Sequence, residues 1–102
     1  MTNDKTVNQP TLFEPQAVDT ERLLLYALGD VLMKLKRYDA AIAQFKQLAK
    51  REPENKLVYT SLGLCYEGMG TYEEAKIHFQ KAIDIAPQEQ YTITAREHLA
   101  RL

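Results

Sequence analysis

Two histidines, one cysteine and one serine are the residues of this chain best suited to bond making or metal binding. His78 and His98 carry imidazoles, which near neutral pH act as general bases or metal ligands. Cys65 and Ser61 are nucleophiles when a base lies beside them. Their surroundings in the sequence argue against all of these roles. A metal site needs three or four convergent ligands, and no cluster of cysteine, histidine or carboxylate supplies them. His78 stands one helical turn after Glu74, the spacing of a solvated i,i+4 pair. Cys65 falls between Leu62 and Tyr66 on an apolar stripe, with no histidine near it, so a core thiol is expected. Ser61 lies within a helical pattern and lacks the strand–turn–helix context of a nucleophile elbow. There is no GxGxxG and no P-loop to cradle phosphate. We therefore expect no enzyme: no catalytic residue, no metal and no cofactor.

The bulk properties narrow the class further. The chain has 102 residues, enough for one domain with a modest core. Its net charge of −1 gives no whole-chain case for nucleic acid or an anionic membrane. The single cysteine excludes an intrachain disulfide and fits a reducing compartment. The start of the chain lacks the basic opening and apolar run of a signal peptide. No apolar run has the length of a membrane span. A cytoplasmic protein is the expectation. Between Lys34 and Lys56 there are seven basic and three acidic residues. Lys34, Lys36, Arg37, Lys46, Lys50 and Arg51 are read as a solvated flank, or alternatively as a surface for an acidic partner.

What must position these residues is a helical array. Arg22–Asn55 and Lys56–Glu89 repeat each other at a period of about 34 residues, a length that implies stacked supersecondary units. Leu23 meets Leu57, Leu28-Gly29 meets Leu62-Gly63, and Tyr38 meets Tyr72. Ala41 meets Ala75, Phe45 meets Phe79, and Pro53 meets Pro87. Residues 1–16 are polar with Pro10 and Pro15, and are expected to form a flexible arm. Leu12-Phe13 is its one apolar pair, an incidental feature, a contact with the first helix, or a motif that docks on a surface such as this chain's own groove. The domain is placed at 17–102.

Within it, Asp19 or Thr20 is expected to cap the first helix. Leu24, Leu25, Leu28, Val31, Leu32 and Leu35 follow at helical spacing as one apolar face. Ala40, Ala41, Phe45, Leu48 and Ala49 form a second run, ended by Pro53. Asn55 caps a third helix with Val58, Tyr59, Leu62, Cys65 and Tyr66 inward. It stops where Gly68 and Gly70 permit positive φ. Thr71 with Glu74 predicts a capping box for a fourth helix, whose inward residues are Ala75, Phe79, Ala82 and Ile83. A fifth helix is expected over 88–102. Tyr91, Ala95, Leu99 and Leu102 form its apolar line, while Arg96-Glu97 replaces Leu-Gly and suits a polar outer end.

Two helices per unit, the length of the period and these residue types together resemble the tetratricopeptide repeat. The second unit carries Tyr59, Leu62-Gly63, Tyr66, Ala75, Phe79, Ala82 and Pro87. The first carries Leu28-Gly29, Tyr38, Ala41, Phe45 and Pro53. It departs with Leu25 and Leu32 where aromatics are common and Leu48 where alanine is. The resemblance implies an all-α superhelix of antiparallel helix-turn-helix repeats. Repeat one spans 22–55, repeat two 56–89, and a capping helix 88–102.

The resemblance also implies protein–protein interaction as the function. In the family, the first helices of successive units line a concave face. Carried over by spacing, its residues are Leu23, Tyr26, Ala27, Asp30 and Met33 from the first unit. Leu57, Thr60, Ser61, Leu64 and Glu67 come from the second, and Tyr91, Thr94, Ala95 and His98 from the last helix. The family's carboxylate clamp for chaperone tails needs lysine, asparagine and arginine there. Tyr26, Asp30, Ser61, Tyr91 and Ala95 stand at the matching places, and none is cationic. The expectation is therefore an adaptor or chaperone-like module whose apolar groove takes a protein or peptide partner with apolar anchors. Small bacterial secretion chaperones hold apolar segments in such grooves. Neither a chaperone tail, nor nucleic acid, nor a membrane is expected as partner. The alternative is a self-associating structural subunit, a homo-oligomer with no separate peptide ligand.

Overall fold

The computed structural model describes residues 19–102. The arm expected over 1–16, with Leu12-Phe13, lies outside the described residues. Five α-helices and one short 3-10 turn follow in order: α1 Thr20–Lys34, α2 Tyr38–Arg51, α3 Lys56–Gly68, α4 Tyr72–Ile85, the 3-10 turn Glu89–Tyr91, and α5 Ile93–Arg101. Each helix packs mainly on its neighbours in sequence. This is the all-α repeat architecture expected from the period.

The caps are local chemistry. Asp19 precedes α1, and its Oδ1 accepts from the Arg22 N–H at 3.0 Å. The carboxyl is held below the usual carboxylate range, chiefly by that backbone bond and then by Arg51. Asn55 does the same for α3, accepting from the Leu57 N–H at 2.9 Å. Arg51 at the end of α2 pairs with Asp19 and with Glu21, the latter at 2.8 Å. Arg22 pairs with Glu52 at 3.0 Å. These ion pairs tie the start of α1 to the end of α2.

Both hairpins turn in the same way. Lys36 has φ 64°, and Gly70, one repeat period later, has φ 81°. In each, the next residue's N–H returns to the helix: Arg37 to the Leu32 carbonyl at 2.8 Å, Thr71 to the Tyr66 carbonyl at 2.9 Å. This is a Schellman ending, in which glycine usually holds the left-handed position. It has a consequence for the expected capping box. The Thr71 N–H is already committed to Tyr66 and is not free for the Glu74 carboxylate, and the Thr71 side chain makes no cap bond, so no Thr71–Glu74 box forms. Gly68 is helical rather than left-handed. A Cβ there would collide with the Tyr38 ring, so it is glycine for space.

The core forms two clusters. The first unites Leu25, Ala41, Ile42, Phe45 and Leu48 of the first hairpin with Val58, Leu62 and Cys65 of α3. The second unites Ala75, Phe79 and Ala82 with Ala95 of α5. Half-buried Tyr59 and Tyr66 pack against both clusters. A Cβ on Gly29 would lie 2.8 Å from the Phe45 ring, and one on Gly63 would lie 2.5 Å from Phe79. In each unit the glycine lets a phenylalanine of the second helix seat against the backbone of the first.

Two expectations need correction. The apolar face predicted for α1 does not enter the core as a whole. Leu25 is buried and Leu32 is half-buried, but Leu24, Leu28, Val31 and Leu35 are exposed. The fifth helix does not run unbroken from 88. The 3-10 turn comes first, and Thr92 breaks it from α5 with φ −136° and ψ 37°. The Arg96 guanidinium fixes that corner, donating to Thr92 Oγ1 at 3.0 Å and to the Pro87 carbonyl at 2.5 Å. Arg96 is thus turned inward, while Glu97 is exposed at the outer end.

Candidate functional site

The first helix of each unit presents three sides. One packs on its own second helix, one on the preceding unit, and the third is left for the concave face. Leu23, Leu57 and Tyr91 hold one position in three successive units and are each about half exposed. Leu57, Thr60, Tyr91, Thr94 and Ala95 line a hollow of about 200 Å³ together with Gln90, Thr92 and Ile93. The structure therefore brings Leu57 and Thr60 of α3 to one cleft with Tyr91, Thr94 and Ala95, but not Ser61, Leu64, Glu67 or His98. Lys56 Nζ lies 5.7 Å from the Tyr91 ring centre and closes its rim. Sequence reasoning missed Lys56, Gln90, Thr92 and Ile93, because they lie outside the concave positions of the repeat. A larger hollow of about 510 Å³ is lined by Lys76, Ile77, Gln80, Lys81, Asp84 and Leu99 on α4 and α5, none of them a concave-face residue.

Other expected site residues are partly engaged in structure. The Tyr26 ring meets Phe45 edge-on, with centroids 5.9 Å apart. Met33 packs on the first cluster and Leu64 on the second. Asp30 binds Lys34 at 3.0 Å. Glu67 lies 2.6 Å from His98 Nδ1, which joins α3 to α5, and the His98 ring lies against Phe79. Asp30, Glu67 and His98 are thus matched within the chain.

Two placements are corrected, those of Ser61 and Ala95. Ala27, Ser61 and Ala95 occupy the same position in successive units. Ser61 and Ala95 are buried. The reason is rotational: in α3 the position shares a side with Val58, Leu62 and Cys65, which is turned into the first cluster. Ser61 faces the preceding unit, and Ala95, though buried, borders the hollow beside Leu57. Ala27 is exposed because no described helix precedes α1.

The residues suited to chemistry are occupied otherwise. Cys65 is buried, and burial pushes its thiol up to about 11, so the nucleophilic thiolate is suppressed. His78 Nδ1 donates to the Glu74 backbone carbonyl at 2.8 Å, and its ring stacks on Tyr66. The contact to Glu74 is to the main chain, not the expected side-chain pair. Among the basic flank, Lys34 and Arg51 are paired and Lys46 lies 6.0 Å from the Tyr66 ring centre. No described helix is long and apolar enough to cross a membrane.

Antiparallel helix pairs stacked at a fixed period, with one side of each first helix left free, define a helical-repeat scaffold for binding proteins. The chain belongs to the tetratricopeptide repeat family, whose pattern it matches over residues 26–89. It is 31% identical over 81 residues to the human (Homo sapiens) cell division cycle protein 16 homolog, covering 79% of this chain and 13% of that protein. It is 26% identical over 83 residues to the wheat (Triticum aestivum) Hsp70-Hsp90 organizing protein, covering 81% and 14%. Rat (Rattus norvegicus) sperm-associated antigen 1 is 37% identical over 57 residues, covering 56% and 6%. The matched region is a small fraction of each relative's length. Proteins of this family are typically non-catalytic interaction modules, and membership supports a protein–protein interaction module here.

Proposed function

We propose that the module holds a peptide or helix of a protein partner in its concave face, through apolar anchors. The observation that carries this reading is the ladder Leu23, Leu57 and Tyr91, exposed at one position of each successive unit, with a cleft between the last two. Exposed apolar side chains in a row supply binding free energy without needing charge on the partner. Asp30, Glu67 and His98 are already matched within the chain, so they add little attraction for a charged ligand. The face offers no lysine or arginine at the positions of the carboxylate clamp, so an acidic chaperone tail is not its ligand. The role is that of an adaptor or chaperone-like holder, in the cytoplasm.

The test is affinity capture from the source cell with mass spectrometry, using the wild-type chain and Leu57→Glu in parallel. Leu57 is exposed, so the variant keeps its fold. A partner retained by the wild type and lost with Leu57→Glu supports the groove. A partner set unchanged by Leu57→Glu and by Tyr91→Glu overturns it. Leu64 is a poorer probe, because it also packs on the second cluster.

A further inference from the structure

The start of the third unit breaks the repeat at two core positions. Val58 and Leu62 stand one helical turn apart on α3, and both are buried in the first cluster. One period later the residues are Thr92 and Arg96. Thr92 is itself buried, at 3% exposed, and Arg96 is half-buried. The apolar pair of one unit is thus a polar pair in the next. The two residues bond to each other, Arg96 Nε donating to Thr92 Oγ1 at 3.0 Å. Arg96 also donates to the Pro87 carbonyl at 2.5 Å, and Thr92 Oγ1 donates to the Ala86 carbonyl at 3.4 Å. Buried polar groups need partners, and here the partners are carbonyls of the chain that leads into α5.

That pairing coincides with a change of backbone path. Helix α3 starts at Lys56, which matches Gln90 one period on, yet α5 starts only at Ile93. Leu57 therefore lies in a helix, and its counterpart Tyr91 lies in the 3-10 turn. Thr92 holds the N-cap position of α5, where a threonine usually caps its own helix. Its side chain makes no such bond. The hydroxyl is turned to Ala86 and Arg96 instead. The hollow beside Leu57 and Thr60 depends on this path. Every residue from Gln90 to Ala95 borders it. Successive side chains on a helix point about 100° apart, so a continuous helix could not turn that whole run toward one hollow.

We propose that Thr92 and Arg96 are the positioning pair of the concave cleft: they hold residues 86–92 out of the helical path, wrap that strap around the hollow, and so place Tyr91 at its rim beside Lys56. Neither residue is an anchor for the partner, and both act through Tyr91. A leucine at position 96, like Leu62 one period earlier, would have no use for the Pro87 carbonyl. The strap would then be free to wind into α5. The proposal rests on the groove reading only for the purpose of the cleft. The placement of Tyr91 is a property of the chain alone.

The test is NMR on the full 102-residue chain, with thermal melts in parallel. The double variant Thr92→Val with Arg96→Leu restores the apolar pair of α3. It is expected to show helical carbon shifts from residue 90 onward and to lose the cross-peak between the Lys56 ε-methylene and the Tyr91 ring. Its melting temperature stays level or rises, because an apolar pair replaces a buried polar one. A merely structural pair would lower the melting temperature and leave Tyr91 where it is, and that result overturns the proposal. Should the double variant lose helicity throughout, Thr92→Val alone decides, since it removes the hydroxyl and keeps the shape. The amides of residues 91 and 92, bonded to the Gln88 and Glu89 carbonyls at 3.1 Å, should then exchange about tenfold faster or more, with those of α1 to α4 unchanged. Unchanged exchange at both overturns the proposal, and Thr92→Ser should keep the wild-type rates. A rival cause is the missing cap, since Asn55 caps α3 and Glu89 stands one period later. If Glu89→Asn alone extends α5 back to residue 90 with Thr92 and Arg96 intact, the cap and not the pair sets the path, and the proposal falls. Failure of the groove reading shows elsewhere, as partners unmoved by Leu57→Glu and Tyr91→Glu, and leaves these shifts as they are.

Discussion

Helices α1 and α3 carry the same apolar pattern and meet different fates. Leu24, Leu28 and Val31 are 63%, 48% and 52% exposed, while Val58, Leu62 and Cys65, their counterparts in the next unit, are at 0%, 1% and 0%. The residue types differ little. What differs is that α2 precedes α3, whereas no described helix precedes α1. In a repeat protein, each unit's first helix is completed by the unit before it. An apolar side that is core in one unit is surface in the first, and open to a partner.

Truncating matched positions breaks or sharpens that contrast. Leu62→Ala should cost about 2–5 kcal/mol, the range for a buried leucine with a residual cavity. Leu28→Ala should cost under about 1 kcal/mol in the monomer, as an exposed site. Urea unfolding at low protein concentration measures both. Equal losses would mean that α1 is covered as α3 is.

The glycine pair comes next in size. Gly63→Ala sets a methyl 2.5 Å from the Phe79 ring, and Gly29→Ala sets one 2.8 Å from Phe45. Overpacking costs about 1–3 kcal/mol, offset by about 1 kcal/mol of helix propensity. A net loss is expected at both, and the larger one at Gly63. Thermal melts that rank them in the opposite order would place the tighter hairpin in the first unit.

The turns give a smaller effect of opposite sign. Lys36 and Gly70 hold the same left-handed position, and only glycine does so without steric cost. Lys36→Gly should stabilise by about 1 kcal/mol, and Gly70→Lys should destabilise by a similar amount. Lowered midpoints for Lys36→Gly would show that its side chain does more than fill the turn.

Two titrating groups mark the two regions with the smallest effects. Asp19 caps α1, and its carboxyl pKa is lowered in the folded state. Its contribution is present above the usual carboxylate range and lost as pH falls through the folded value. Asp19→Asn should flatten the acid limb of stability against pH. Cys65, on α3, has its thiol raised from 9.0 to about 11. The folded state therefore keeps that proton longer, and stability falls as pH rises between the two values. At pH 8 a thiol reagent should label Cys65 only after unfolding. In Val31→Cys, the matched position on α1, it should label the introduced thiol in the native protein at low protein concentration.

The fold was legible because packing residues must recur wherever the packing recurs. Gly29 and Gly63, Ala41 and Ala75, Phe45 and Phe79 are pairs in one spatial relation, so a comparison of letters one period apart found the hairpins. The two caps at Asp19 and Asn55 were legible for a local reason, a short acceptor beside free N–H groups. The Thr71–Glu74 box was not, because the N–H it needs is taken by the Tyr66 carbonyl. In the candidate site, the cleft of Leu57, Thr60, Tyr91 and Thr94 was reachable by spacing. The burial of Ser61 and Ala95 was not, since it depends on the roll of each helix against the unit before it.

By itself the sequence determined the repeat and, to within a turn, the boundaries of the first four helices. These rest on contacts within a unit, which spacing encodes. Only the tertiary structure decided which apolar side of each first helix is buried. That property belongs to the stack: burial of Val58, Leu62 and Cys65 requires α2 in front of them, and the same pattern on α1 has no described helix there. Periodicity reports that a side is apolar, and only the neighbours in space settle whether it is core or surface.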